Sequence, residues 1–172
     1  MHPAYYQVEL IATVVGGNKV GVSPRAYSTG YGAVFDSGTT FSYFPSSVFN
    51  EIKKAVVNQV HLSSVAGPDP RYEDLCYAGA GDESDLSKHF PDIVLEFKPL
   101  PGSPSAKLIL HPMNYLFAHT RPGAYCLGIF DNGSTGTLLG KLLLAAVSSC
   151  IATALPLSYV ILQVESSFGT NL

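Results

Sequence analysis

Over residues 5–15 apolar and polar positions alternate: Tyr6, Val8, Leu10, Ala12 and Val14 are separated by residues such as Gln7, Glu9 and Thr13. A period of two sends successive side chains to opposite faces, so this stretch predicts a half-buried strand, ended by a turn at Gly16-Gly17-Asn18. A shorter apolar run, Ala33-Val34-Phe35, leads straight into Asp36 and predicts a buried strand with a carboxylate at its end. After Pro45 the period lengthens. Val48, Phe49, Ile52, Ala55 and Val56 fall on one stripe of a helix, with Ser46 or Ser47 as its cap and Glu51 in its first turn. That helix is expected to cover one edge of a sheet, with Lys53 and Lys54 on its solvated face. Further strands are predicted at 93–97, 107–110 and 125–130. The last runs into Asp131-Asn132-Gly133, whose Asn and Gly tolerate the positive φ of a tight turn. Residues 82–85, which are acidic, and 99–105, rich in Pro, Gly and Ser, read as exposed loops.

Residues 142–164 differ in kind: they contain no Asp, Glu, Lys or Arg, and only Pro156 interrupts a helix. The stretch is long enough to cross a bilayer core. Yet Ser148, Ser149, Thr153, Ser158 and Gln163 dilute it, and the buried strands of a β domain look much the same, so both readings stay open.

Composition narrows the fold. With 172 residues, 47% hydrophobic and 13% charged, the chain can bury a sizeable core as one domain or one lobe of a larger one. Ten Tyr and nine Phe, with no Trp and many Gly and Pro, favour strands joined by punctuated turns, hence a mostly β fold. A net charge of -3 with scattered basic residues excludes a nucleic-acid stripe and a polybasic membrane patch. The first residues lack the basic and apolar regions of a signal peptide; if the chain's relatives are secreted, its start is expected to lie inside a longer parent sequence. Three cysteines, Cys76, Cys126 and Cys150, leave one over after a single pairing.

The strongest chemical signal is Asp36-Ser37-Gly38-Thr39-Thr40. A D-[ST]-G-[ST] string should arise by chance in such a chain with a probability on the order of one per cent. Its residue types suit a tuned carboxylate: glycine lets backbone approach the acid, and small hydroxyl side chains donate hydrogen bonds that orient it. Other signals are weaker. The five histidines (His2, His61, His89, His111 and His119) form no metal-spaced cluster, so no metal is expected. Residues 135–142 superficially suggest a phosphate loop, but Thr135 replaces its first glycine and Leu142 its final hydroxyl, which rejects nucleotide binding. Asn132-Gly133-Ser134 fits the N-glycosylation sequon.

Asp36 to Thr40 resembles the second active-site motif of the pepsin-like aspartic proteases, and further segments resemble the plant members. These are Gly67-Pro68-Asp69-Pro70-Arg71-Tyr72-Glu73-Asp74-Leu75-Cys76, Pro112-Met113-Asn114-Tyr115-Leu116-Phe117, Gly123-Ala124-Tyr125-Cys126-Leu127-Gly128 and Thr137-Leu138-Leu139-Gly140. The resemblance covers residues 5–140 and implies the C-terminal lobe of the bilobal acid-protease fold, mostly β with one or two short helices. It implies that Asp36 is the catalytic carboxylate, that Thr39 hydrogen-bonds it and that Ser37 helps lock two aspartate loops together. Gly38 and Thr40 complete the motif. Leu138, Leu139 and Gly140 would cross the acid's loop in a ψ-shaped arrangement. Cys76 and Cys126 match a pair that plant relatives join, which implies an oxidising, secretory or extracellular setting. Cys150 lies outside the matched region.

The family's chemistry needs two aspartates sharing a proton, because like charges a few ångströms apart cannot both ionise cheaply. One activates a water and the other hydrogen-bonds the scissile carbonyl, with no cofactor and no covalent intermediate. The sequence holds one D-[ST]-G motif. The expectation is therefore an endopeptidase lobe acting on peptide or protein substrates, inactive alone, completed by an N-terminal lobe or by a second copy. After Gly140 the sequence leaves the family pattern with Lys141-Leu142-Leu143-Leu144-Ala145, which divides the chain into an incomplete lobe, 1–140, and a divergent tail, 141–172. A membrane span, a splice variant or a gene-model error would each produce that tail. The alternative reading is a non-catalytic binding protein resembling the plant xylanase inhibitors. The intact motif favours protease ancestry, since an inhibitor has no chemical need of Asp36.

Overall fold

In the computed structural model, which describes residues 6–71, 73–99 and 106–151, short strands dominate. The chain runs through β1 (Tyr6–Val8), β2 (Leu10–Val15), β3 (Asn18–Lys19), a 3-10 turn at Pro24–Ser28, β4 (Ala33–Phe35) and β5 (Ser42–Phe44). Helix α1 (Ser46–Val57) leads to β6 (Ser63–Val65), β7 (Cys76–Ala78) and the short α2 (Leu86–His89). Then come β8 (Ile93–Phe97), β9 (Ala106–Leu110), β10 (Leu116–Ala118), β11 (Ala124–Leu127), β12 (Ile129–Asp131), β13 (Thr137–Leu139) and α3 (Lys141–Ile151). The strands form a five-stranded sheet, β1-β4-β13-β5-β12, and two four-stranded sheets, β10-β11-β7-β6 and β3-β2-β8-β9. This is the mostly β lobe that the resemblance implies, with a third helix formed where the tail was expected.

Two stretches that read as single strands are each divided between sheets. The first alternating run is cut at Glu9: β1 pairs with β4, whereas β2 pairs with β8. Tyr5, where the predicted strand begins, lies outside the described residues. Within β2, Leu10 faces Phe97 and Ala12 faces Glu96, so Ile11 is the extra residue of a bulge. The bulge reverses the alternation. Thr13 and Val15 are buried and Val14 is only half-buried, contrary to the simple period-two expectation. The predicted strand at 125–130 is likewise broken at Gly128, where the chain passes from β11 beside β7 to β12 beside β5. A side chain there would press on Leu142, Phe41 and the Tyr115 carbonyl, each 3.1 Å from its first carbon.

Helix α1 buries the predicted stripe, with Val48, Ile52 and Val56 inside and Phe49 and Ala55 at its margins, against β2, β5 and β12. Its start differs from expectation. Pro45, with φ fixed at -53°, stands at the cap position, neither serine caps the helix, and no acid lies in the first turn. Glu51 falls one turn later, 3.9 Å from Lys54, while the Lys53 ammonium sits over the Phe49 ring. The acidic loop at 82–85 is more ordered than predicted: Asp82 accepts a hydrogen bond from the Ser84 N–H at 2.9 Å and opens a 3-10 turn that continues into α2. Of the second predicted loop, residues 100–105 lie outside the described residues.

The apolar stretch 142–164 is helical as far as Ile151, and its residues 152–164 lie outside the described residues. Leu143 and Ala146 bury the inner face of α3 against β9, β5 and the 3-10 turn Pro112–Asn114. Among the described residues no helix is long and apolar enough to cross a membrane.

One disulfide, Cys76–Cys126, joins directly opposed residues of β7 and β11 and closes a separation of 50 residues. Constraining the unfolded chain over a loop of that length is worth about 4 kcal/mol in the chain-entropy treatment. Replacing Cys126 with Ser should therefore lower the unfolding free energy in guanidinium titrations by about 4 kcal/mol. A loss below about 1 kcal/mol would show that the bond is not what holds this sheet together.

Candidate active site

The buried strand β4 delivers Asp36 to the end of the five-stranded sheet. Strand β13 runs parallel to β4, pairing Leu139 with Phe35, and antiparallel to β5, pairing Leu138 with Tyr43. It therefore lies between the two strands that the acid's loop connects. The loop leaves β4, passes over the end of β13 and returns along β5. Main-chain hydrogen bonds hold it there: Asp36 N–H donates to the Leu139 carbonyl (3.0 Å), Lys141 N–H to that of Thr39 (2.7 Å) and Leu142 N–H to that of Thr40 (3.0 Å). Gly140 lies beneath the crossing. A Cβ on it would sit 2.0 Å from the Phe41 carbonyl oxygen and 2.8 Å from that of Thr39, so no residue with a side chain fits. Folding thus brings Leu138, Leu139 and Gly140 onto the Asp36 to Thr40 segment, about a hundred residues away in sequence.

The Asp36 carboxylate is half-buried and held from both oxygens. Gly38 N–H donates to Oδ1 at 2.8 Å, and the Thr39 hydroxyl donates to Oδ2 at 2.7 Å. A carboxylate gripped at both oxygens has a fixed plane, which leaves its remaining lone pairs aimed outward. Ser37 and Thr40 have exposed side chains at the tip of the loop.

Two features escape a reading of the sequence. Ser42 is only 2% exposed, and its Oγ accepts the Gly140 N–H at 3.0 Å, satisfying a buried donor at the crossing. A serine inside a three-residue strand gives no sign of this. Beside the motif, Phe41, Tyr43, Phe117 and Phe130 form a half-buried aromatic group: Phe41 lies 5.0 Å from Phe117 and 5.3 Å from Phe130, and Tyr43 lies 5.7 Å from Phe130. Phe41 and Tyr43 follow the motif directly, but Phe117 and Phe130 reach it only through the chain's tertiary course.

The remaining predicted residues lie elsewhere. Cys76 and Cys126 sit in a different sheet, and Asn132 stands at the far end of the β4/β13 pair. Among the described residues no group of three or more His, Cys, Asp or Glu side chains is disposed to hold a metal. His111 instead pairs with Asp92 at 2.9 Å, and His119 Nε2 lies 3.0 Å from the Ala66 carbonyl.

Comparison with known proteins gives a consistent picture. The family model described as "Xylanase inhibitor C-terminal" matches residues 5–147. Aspartic proteinase nepenthesin-1 of Nepenthes gracilis is 26% identical over 146 residues, covering 81% of this chain and 31% of that protein. Aspartic proteinase 36 of Arabidopsis thaliana is 30% identical over 151 residues, covering 82% and 28% respectively. The chain thus spans less than a third of the length of these curated relatives. The family match runs past Gly140 into α3, up to residue 147.

Removing the Ser42 hydroxyl should leave the buried Gly140 N–H without a partner. Ser42→Ala is expected to cost about 1–3 kcal/mol, and Gly140→Ala more, because backbone rather than a flexible side chain must yield. Thermal unfolding of the two variants checks the order. Gly140→Ala unfolding at or above the Ser42→Ala midpoint would contradict the crossing as described.

Proposed function

The chain belongs to the family described as Xylanase inhibitor C-terminal and is distantly homologous to plant aspartic proteinases, and from that membership we propose that it serves as an acid-protease lobe supplying Asp36 to peptide hydrolysis. One observation carries this reading: the Asp36 carboxylate is held by the Gly38 N–H and the Thr39 hydroxyl on a loop that β13 and Gly140 pin from below. The hydrogen bonds alone are those of an ordinary Asp-led turn, as at Asp82 and Asp131; what sets Asp36 apart is the strand and glycine packed beneath its loop. That packing suits a general base or acid, because proton transfer to or from water requires the group to stay within hydrogen-bond reach of the reacting atom.

In this reading Asp36 faces a second carboxylate, and the two share one proton because they cannot both be ionised at close range. The ionised member takes a proton from water while the protonated member hydrogen-bonds the scissile carbonyl oxygen. The water oxygen then attacks the carbonyl carbon and forms a tetrahedral species; proton return to the amide nitrogen lets the C–N bond break. The second acid comes from outside these residues, from an N-terminal lobe or from a second copy of the chain. Substrates are peptides, and the aromatic group of Phe41, Tyr43, Phe117 and Phe130 supports a preference for apolar side chains near the cleaved bond. The Cys76–Cys126 bond supports an oxidising, secretory setting.

A second reading rests on the family description itself, which names a xylanase inhibitor domain. As a non-catalytic protein the chain would bind a glycan-cleaving enzyme without using Asp36 as an acid or base.

Asp36→Ala separates the two. With a first lobe from a related plant enzyme supplied, hydrolysis of a fluorogenic peptide at acid pH should fall by about 10²–10⁴-fold in the variant, while far-ultraviolet circular dichroism stays the same. Xylanase binding that survives the substitution, with no peptide cleavage by the parent chain, would favour the inhibitor reading. Hydrolysis by a strictly monomeric preparation would remove the need for a second acid.

A further inference from the structure

At the end of the β4/β13 pair opposite Asp36, two loops close on each other. Tyr31 N–H donates to the Thr135 carbonyl (3.1 Å) and Thr137 N–H to that of Gly32 (2.7 Å). A Cβ on Gly30 would lie 1.9 Å from the Thr135 oxygen, and one on Gly136 would lie 2.8 Å from the Gly32 oxygen and from the Tyr31 ring. Asn132 makes one tie between the loops and one within its own. Its Nδ2 donates to the Tyr31 hydroxyl at 2.9 Å and to the Gly136 carbonyl at 2.9 Å. Its own N–H donates to the Phe44 carbonyl, and its carbonyl accepts from Thr135 N–H. The neighbouring turn is also fastened: Gly133 N–H and the Ser46 hydroxyl donate to Asp131 Oδ1 at 2.8 and 2.7 Å, and Ser46 N–H donates to the Gly133 carbonyl.

A carboxamide nitrogen carries two hydrogens, and here both are used. Asn132 is also the acceptor of the sequon Asn132-Gly133-Ser134, and no other Asn in the sequence has Ser or Thr two places on. N-glycosylation joins Nδ2 to C1 of the first sugar. One Nδ2 proton is lost, and the lipid-linked diphosphate that carried the oligosaccharide departs. The modified nitrogen keeps one hydrogen, and the sugar takes the direction of the other. At least one of the two ties must then break.

We propose that Asn132 braces this end of the sheet with a pair of ties, one across to Tyr31 of the 29–32 loop and one to Gly136 within its own 132–136 loop, that the full pair and an N-glycan exclude each other, and that natively folded protein therefore carries Asn132 unmodified. The argument rests on hydrogen-bond valence, independently of any catalytic role for Asp36. Its test reads mass and stability, so it can fail or succeed apart from the protease reading.

The full chain is secreted from insect cells behind an export signal. The fraction containing the Cys76–Cys126 bond is isolated, and its intact mass is measured before and after peptide N-glycosidase treatment. The expected result is the mass of the unmodified polypeptide, unchanged by the enzyme. Disulfide-bonded, protease-resistant material that loses a glycan would overturn the proposal. In parallel, unglycosylated protein carrying Tyr31→Phe or Asn132→Ala should unfold several degrees below the parent. Ser134→Ala, which destroys the sequon but leaves both ties, should not. Should Asn132→Ala fail to fold, Tyr31→Phe, which deletes a single hydroxyl, still gives the comparison. A Tyr31→Phe midpoint equal to the parent's overturns the brace.

Discussion

The contact on which the rest of this lobe depends is the passage of Gly140 beneath the loop that carries Asp36. With hydrogen as its side chain, Gly140 lies where any Cβ would meet the carbonyl oxygens of Phe41 and Thr39. The closeness lets β13 enter between β4 and β5 and lets the main chain on either side of Gly140 hydrogen-bond both ends of the loop. Buried main-chain donors must find partners, and the Ser42 hydroxyl supplies one to the Gly140 N–H. The orientation of the Asp36 carboxylate is thus inherited from backbone packing, with Gly38 and Thr39 making the final adjustment.

Around this crossing the fold is assembled from strands that change sheet. The break at Glu9 sends β1 to the sheet of the crossing and β2 to the sheet of β8, and the break at Gly128 sends β11 and β12 to different sheets. Each switch couples the crossing to another layer of the same core, which includes Tyr27, Phe44, Ile52, Leu95, Leu110 and Leu139. Helix α3 closes one side with Leu143 and Ala146. A segment that reads in sequence as a departure from the family pattern therefore starts as an integral part of the core.

A single held carboxylate is an incomplete device for hydrolysing a peptide bond, since water must give up a proton while the carbonyl receives one. In the protease reading, the half-exposed acid and the aromatic group beside it form a surface that gains chemical meaning opposite a second acid. The same incompleteness makes the inhibitor reading worth separating from the protease reading. A lobe that presents a rigid loop and aromatic side chains can bind without catalysing.

Local chemistry was legible in the chain itself. The Asp36 motif, the buried strand before it, the apolar stripe of α1 and the strand Ile93–Phe97 follow from residue types and periodicities that act over a few positions. The pairing of Cys76 with Cys126 was legible only through family resemblance, because three cysteines allow more than one pairing. What the tertiary structure decided depends on residues distant in sequence. The bulge at Ile11 reverses a face, Gly128 splits a strand, Ser42 serves Gly140, and Asn132 spends one amide hydrogen on Tyr31 of a neighbouring loop and the other on Gly136 of its own. Periodicity records which face a residue prefers. The partner waiting at that face is set only when the whole chain has folded, because close packing and hydrogen-bond satisfaction are properties of the assembled interior.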